Sequence, residues 1–462
     1  MSILIAVGVL VFLMLVAYRG YSVILFAPVA AMLAVLCTDP AAVPAMFTGL
    51  YMEKLVVFVK LYFPVFLLGA VFGKVIELSG FSQSIVSSAM RLVGPQRAML
   101  SIVLVCAVLT YGGVSLFVVV FAVYPFAAEM FRQGNIPKRL IPGTIALGAF
   151  SFTMDSLPGS PQIQNLIPTT FFKTDTWAAP WLGTIGGLFI LVVGLTYLES
   201  RRRALAAGEG YGTGHTHEPM PVPEQAMANP WIAMLPLVVV GVLNKLFTNL
   251  IHRHYGQTYE ASFPGLEHPL SVQISSVAAI WAVEAALLMG IVCVCVLAFR
   301  RVAAQFAEGS KAAVAGALLA AMNTASEYGF GAVIAVLPGF AAIRDALEAV
   351  PDPLFNEAVT VTTLAGITGS ASGGMSIALA AMADEFVTAA NAAGIPMQVL
   401  HRVASMASGG MDTLPHNGAV ITLLAVCGLT HRQSYKDIFA VTCIKTVAVF
   451  IVIAVYYLTG IV

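Results

Sequence analysis

Long apolar runs separated by short polar joints dominate the chain. Ten such segments can be marked: 2–18, 21–37, 56–79, 140–154, 178–199, 230–250, 272–299, 314–338, 397–411 and 438–460. Runs of this kind predict transmembrane helices, which need roughly 20 apolar residues to cross the hydrocarbon. Two further apolar stretches, 98–131 and 361–392, are each divided by a glycine pair, Gly112-Gly113 and Gly373-Gly374. Residues 201–228 form the one long polar linker. Its Gly, Pro, His and Glu content reads as flexible and cytoplasmic.

Polar residues interrupt the pattern most sharply in one phrase that occurs twice. It reads MDSLPGSPQIQN from Met154 to Asn165 and MDTLPHNGAV from Met411 to Val420. Each copy places an aspartate and a proline inside an apolar segment. A broken helix leaves backbone groups without partners, and a carboxylate at membrane depth adds to the cost. Such a phrase persists only where it is buried in protein or lines a cavity. Two copies at corresponding places predict one site made of two half-sites.

Composition narrows the class. Of 462 residues 59% are hydrophobic and 10% charged, which excludes an ordinary soluble domain. Net charge is zero, so no basic face exists for nucleic acid. The six cysteines fall in or beside apolar runs and indicate neither a disulfide framework nor a metal site. The first segment has no basic n-region and no convincing cleavage site, and reads as a retained helix. No phosphate-binding loop of the G-x-x-x-x-G-K-[ST] type is present, so no cofactor is expected.

Basic residues orient the segments. Placing Arg19, Arg91, Arg97, Arg132, Lys138, Arg139, Arg201, Arg202, Arg203, Arg300, Arg301, Lys311, Arg432 and Lys436 in the cytoplasm accounts for 14 of 23 Lys and Arg residues. Stretch 98–131 then begins and ends inside, and 361–392 begins and ends outside. Both are expected to be re-entrant hairpins with the glycine pairs near their tips; a helix continuous through Gly112-Gly113 is the competing reading.

An internal repeat agrees with this topology. Phe72–Ile85 matches Phe330–Ile343 at an offset of 258, GGVSL from Gly112 matches GGMSI from Gly373 at 261, and MDSLP matches MDTLP at 257. The expected fold is an all-α membrane protein with about ten transmembrane helices plus two re-entrant helical hairpins, an inverted-repeat secondary transporter. Residues 1–200 form the first repeat (hairpin 98–131), 201–228 the linker, and 229–462 the second repeat (hairpin 361–392).

The spacing GAVFGKVIELSG (Gly69–Gly80), the Gly-Gly hairpin and the Pro-rich break resemble the GntP-type gluconate/proton symporter family. The resemblance implies proton-coupled import of small hydroxy-carboxylates by a homodimer in which one domain moves against a fixed scaffold. It also implies a multi-pass protein of the bacterial inner (cytoplasmic) membrane. MDSLPGSPQIQN departs from the His- and Pro-richer break of the gluconate carriers, and resembles more the members associated with 3-hydroxybutyrate.

Candidate residues follow from position and chemistry. Asp155 and Asp412 can hold a cation, accept a proton or cap the next half-helix. Ser160, Gln162, Gln164, Asn165, Thr413 and Asn417 can hydrogen-bond a carboxylate and a hydroxyl. His416 stands where the first copy has Gly159, and can relay a proton or donate to substrate. At the expected hairpin tips, Thr110, Tyr111, Gly112, Gly113 and Ser115, and Ser372, Gly373 and Gly374, offer close backbone approach and hydroxyls, with helix packing as the alternative. Glu327 shares a helix face with Asn323 and is a candidate proton carrier or a partner of Lys74. Asp155, Asp412, His416 and Glu327 thus form the expected coupling set; no metal site and no catalytic constellation are expected. A sodium-coupled di- or tricarboxylate carrier, an anion channel and a membrane-embedded enzyme are the rivals.

Overall fold

The computed structural model describes the chain apart from residues 1, 20, 94–96, 207, 216–217, 219–227, 266–267, 340–349, 351 and 416. Helices dominate it. The first half contains α1 (Ser2–Tyr18), α2 (Val23–Thr38), α3 (Met52–Leu78), α4 (Phe81–Val93), α5 (Ala98–Tyr111) and α6 (Leu116–Gln133). It continues through α7 (Ile141–Ala149), α8 (Phe152–Asp155), α9 (Ile163–Phe172) and α10 (Pro180–Ala206). The second half contains α11 (Pro230–Tyr255), a small hairpin of β1 (Thr258–Ala261) and β2 (Leu270–Gln273), α12 (Ile274–Leu297) and α13 (Phe299–Ala335). After these come α14 (Pro353–Thr368), α15 (Ala371–Ala392), α16 (Met397–Ser408), α17 (Gly418–Val426) and α18 (His431–Thr459). Among the described residues, five helical spans, at 40–78, 180–204, 230–255, 274–297 and 431–459, are long and apolar enough to cross a membrane. Their outward faces expose large apolar side chains such as Trp231, Val242, Val292 and Val296, as lipid contact requires.

Local chemistry sets the helix ends. Asn229 accepts from the Trp231 N–H and precedes Pro230, and Asp352 accepts from the Phe355 N–H and precedes Pro353; each joins a side-chain cap to a proline at the first helical position. Thr430 and Gln433 form a capping box at the start of α18.

Segments 140–154 and 397–411 end short of their marked edges, at the expected breaks. The first stops at Ala149, turns, and resumes only at Ile163 after the four-residue α8. The second stops at Ser408 and resumes at Gly418. Prolines at 158, 161 and 415 and glycines at 159, 409 and 410 lie in these gaps, where the helical ladder cannot continue.

Both glycine-pair stretches fold as helix–turn–helix hairpins. In the first, the turn runs from Gly112 to Ser115, with Gly113 at φ +95°. In the second the turn is not at Gly373-Gly374. Gly369 takes the left-handed conformation (φ +64°) that ends α14, and Ser370 accepts from the Gly373 N–H to start α15. The hairpin therefore runs from 353 to 392, and the GGVSL–GGMSI match is offset by one helical turn from the matching turns. Gly373 and Gly374 are helix residues. A side chain on either would collide, with the Glu327 carboxylate and with the Ala365 backbone respectively.

Packing divides the helices into two groups. In one, α3 lies along α13, α12 packs on α3, α2 packs on α13, and α1–α2 and α11–α12 are neighbours. The other contains both hairpins, both broken helices, α10 and α18: α5 packs on α7, α14 and α9 on α16, α7 and α10 on α18. Helix α15 lies against α13 and joins the groups. Contacts recur in matching pairs, α2 on α13 with α12 on α3, and α9 on α15 with α17 on α6.

Candidate functional site

A broken helix frees carbonyl groups, and at membrane depth each needs a donor. Residues of α16 and α18 supply them. Lys445, 1% exposed in the middle of α18, donates to the Phe150 carbonyl (3.0 Å) and to Asp412 Oδ1 (2.6 Å). Arg402, fully buried on α16, donates to the carbonyls of Ala178 (2.6 and 3.2 Å) and Asp155 (3.1 Å) and to Asn165 Oδ1 (3.0 Å). Ser405 donates to the Asp155 carbonyl at 2.7 Å. The two breaks are therefore brought together, and the second half reaches across to satisfy the first.

Asp155 is buried, with its Oδ1 accepting from Ser156 Oγ at 2.6 Å; its other oxygen lies against Gly409, where a side chain would collide with it. Asp412 is paired with Lys445. The two aspartates of the repeated phrase thus have different partners. Neither half-helix after a break takes its cap from them: Gln162 precedes α9 without a side-chain cap, and Asn417 caps α17 by accepting from the Val420 N–H at 2.9 Å.

Asn165 is saturated. Its amide donates to the carbonyls of Ser160 (2.9 Å) and Thr176 (2.8 Å), and its oxygen receives Arg402 and meets His401 Nε2 at 3.2 Å. Those four contacts use all the capacity of an amide side chain, so Asn165 shapes the break and has nothing left for a ligand. Ser160 likewise donates within the break, to the Thr153 carbonyl at 2.8 Å. Gly159, at φ +77°, packs under Trp177 and donates its N–H to the Thr176 carbonyl at 2.8 Å.

Each hairpin tip is tied to the break of its own half. Gln162 Nε2 donates to the Thr110 carbonyl at 2.8 Å, and the Tyr111 hydroxyl donates to the Pro158 carbonyl at 2.8 Å. Asn417 Nδ2 donates to the Gly369 carbonyl at 2.7 Å. Gly112 packs against Leu237 of α11, and Gly113 against Leu287 of α12 and Pro161. Ser115 starts α6 without capping it. Thr110 Oγ1 at the first tip and Gln164 Oε1 on α9 are among the buried polar atoms without a hydrogen-bond partner.

The other candidates are elsewhere. Glu327 is buried on α13 against Gly373, in the first turn of α15, and Lys74 pairs with Glu77 instead (2.8 Å). Ser372 meets Thr324 at 3.2 Å in the same contact. Thr413 is bonded to Thr442 at 2.5 Å. His416 lies outside the described residues. Sequence reasoning missed Arg402, His401 and Lys445. The signal for Lys445 was available: a lone lysine deep in a 29-residue apolar helix is expensive unless it has a task.

The linker is also more ordered at its start than its composition predicts. Glu218 receives Lys138 Nζ (2.9 Å), Arg132 Nη2 (2.6 Å) and the Tyr211 hydroxyl (3.0 Å), and Glu209 pairs with Arg139 at 2.9 Å. Partial burial raises the Glu218 carboxyl, but these three hydrogen bonds outweigh it and hold the group below its ordinary range.

Apolar spans, helical hairpins and paired helix breaks meeting around buried ionic groups are the architecture of a multi-pass, all-α membrane transporter. The comparisons agree. No family model matches the chain. It is 59% identical over 471 residues to the uncharacterized transporter YxjC of Bacillus subtilis (strain 168), with 100% of this chain and 99% of that protein aligned. The chain belongs to the family of that transporter. The crystal structure of the YdaH transporter of Alcanivorax borkumensis, described as having an unusual topology, shares the fold at a TM-score of 0.51 and 15% identity, over 91% of this chain and 90% of that one.

Proposed function

We propose that the protein is a proton-coupled secondary transporter that imports a small organic monocarboxylate, a hydroxy acid such as 3-hydroxybutyrate or gluconate. It works as a homodimer in the bacterial cytoplasmic membrane. The two halves, 1–200 and 229–462, are inverted repeats joined by linker 201–228. The hairpins, broken helices, α10 and α18 carry the substrate, and α1–α3 with α11–α13 form the fixed scaffold. The grouping of helices and the paired contacts support this division, and the likeness to gluconate/proton symporters supplies the substrate class.

One observation carries the coupling. At the meeting of the breaks, two carboxylates, Asp155 and Asp412, stand with two cationic side chains, Lys445 and Arg402. Asp175 lies near Arg402 as well, so the set has no spare positive charge. A substrate carboxylate entering it adds an uncompensated negative charge, which a low-dielectric interior penalises heavily. A cation must travel with it. Substrate contacts fall to groups with spare capacity, Thr110, Ser115 and Gln164 in the first half and Asn417 in the second, whereas Ser370 is engaged by Gly373 and Glu327. Asn165, Ser160, Gly373 and Gly374 hold the backbone in shape.

Purified protein in liposomes tests this. Uptake of labelled 3-hydroxybutyrate or gluconate should rise under an inward proton gradient and collapse with an uncoupler. Uptake that follows sodium and ignores the uncoupler transfers the assignment to a sodium-coupled carrier. Non-saturating flux without counterflow would make it a channel.

A further inference from the structure

Among the described residues, three further acids are buried outside the set of Asp155, Asp412, Lys445 and Arg402: Asp437, which is paired with Arg201, and Glu327 and Glu357. Glu327 faces the first turn of α15, where helix N–H groups and the macrodipole favour negative charge. Glu357 has no such compensation. It lies on α14, the first arm of the second hairpin, with no exposed surface, and neither carboxylate oxygen has a hydrogen-bond partner.

The charged and titratable groups on the elements packed against α14 are α1, α15, α16 and α18 residues. Helix α1 has no charged residue. Helix α15 offers only acids, Asp384 and Glu385. On α16, His401 is engaged with Thr174 and Asn165, and Arg402 with Ala178, Asp155 and Asn165. On α18, Lys445 is paired with Asp412, Asp437 is paired with Arg201, and His431, Arg432 and Lys436 lie in its first two turns. Among the described residues, no cation neutralises Glu357. A bare buried carboxylate is among the costliest groups a protein can hold, so the site calls for a bound positive charge.

We propose that Glu357 holds the coupling cation, a proton or a sodium ion, inside the second hairpin. The inference rests on the reading of a cation-coupled carrier and names its coupling site. It differs from the expected set of Asp155, Asp412, His416 and Glu327. Asp412 is already paired, and Glu327 sits on a scaffold helix. Glu357 belongs to the group of helices that carries the substrate, where a cation moving with that substrate must ride. Thr360, one turn on from Glu357 along α14, donates to Asn356 at 3.2 Å.

Infrared difference spectra of the full-length protein in lipid distinguish the two ions. With a proton bound, wild type shows a protonated-carboxyl stretch that Glu357→Gln lacks. With sodium bound, adding sodium changes the carboxylate bands of wild type and leaves Glu357→Gln unaltered. Identical spectra in both proteins under both titrations overturn the proposal. Glutamine imitates the neutral acid and should keep the fold; if it does not, Glu357→Asp must shift the same band, and an unshifted band is equally fatal. In liposomes loaded with 3-hydroxybutyrate or gluconate, Glu357→Gln should lose gradient-driven accumulation and keep substrate-for-substrate exchange. Gradient-driven uptake that survives Glu357→Gln removes this assignment alone, whereas wild-type uptake indifferent to both gradients removes the coupled-carrier reading beneath it.

Discussion

The two copies of Met-Asp-x-Leu-Pro occupy matching places and are held by different means. The first break is a dense hydrogen-bonded knot: Asn165, Gly159, Ser160 and Gln162 bind the loop to itself and to the hairpin tip, and Arg402 and Ser405 clamp it from the other half. Among the described residues, the second break is held by the Asp412–Lys445 pair, the Asn417 amide, and contacts of Thr413 with Thr442 and Tyr435 and of Pro415 with His431. Helices α7 (IPGTIALGA) and α10 between 183 and 195 contain no charged residue, so His401, Arg402 and Lys445 have no counterparts in the first half. The first break accepts and the second half donates. Its basic side chains satisfy carbonyls that the first break orphaned, which fixes the breaks against each other more firmly than the aspartates alone could.

This contrast can be broken at several strengths. The largest effect is expected at the ion pair. Asp412→Asn leaves Lys445 buried without its carboxylate, at a cost of about 3–5 kcal/mol. Asp155→Asn, whose side chain bonds only Ser156, should cost far less. Thermal unfolding of the purified variants compares them, and equal losses would show that the two aspartates are equivalent after all. The double variant Asp412→Asn with Lys445→Met should recover most of the stability, because removing both charges removes the stranded one.

Arg402→Leu comes next. It orphans the Ala178 carbonyl and removes charge-assisted bonds, for a loss of about 2–3 kcal/mol, and should loosen the first break in hydrogen exchange. Unchanged protection of residues 155–179 would count against the clamp. Smaller again is Asn417→Ala, at about 1 kcal/mol for a lost cap; it should raise cysteine labelling at Ser370 without altering labelling at Ser115, since each tip is tied to its own break. The smallest effect concerns the linker. Because the Glu218 carboxyl is held below its ordinary range, its contribution is present above the unfolded carboxylate range and is lost as pH falls through the folded value. Glu218→Gln should remove that acid-side dependence of proteolytic resistance in 209–218 and leave it flat.

Much of the architecture was legible from pattern alone. Apolar runs, the glycine-split stretches and the doubled phrase located the spans, both hairpins and both breaks, because the bilayer permits few ways to satisfy a backbone. The register of the second tip was not legible. GGMSI resembles GGVSL, yet Gly369 and Ser370 make the turn because one takes the left-handed conformation and the other caps the next helix. The glycines that matched in sequence serve packing against Glu327 and Ala365. Nor was the use of polar residues legible. Asn165, a candidate by position, makes four internal contacts, and Lys445 and Arg402 are charges in apolar segments whose partners lie far along the chain.

The sequence by itself determined that this is a helical membrane protein whose apolar pattern is interrupted twice by the same polar phrase. Periodicity and hydropathy are local properties, and the membrane turns them directly into structure. Tertiary structure alone decided which groups neutralise which. Partners such as Lys445 and Phe150, or Arg402 and Ala178, are separated by hundreds of residues, and whether a buried charge is paired or bare depends on a few ångströms that no local pattern encodes. Glu357 belongs to that second kind of knowledge: in the chain it is one glutamate near the start of a hairpin arm, and only the packing leaves it without a partner.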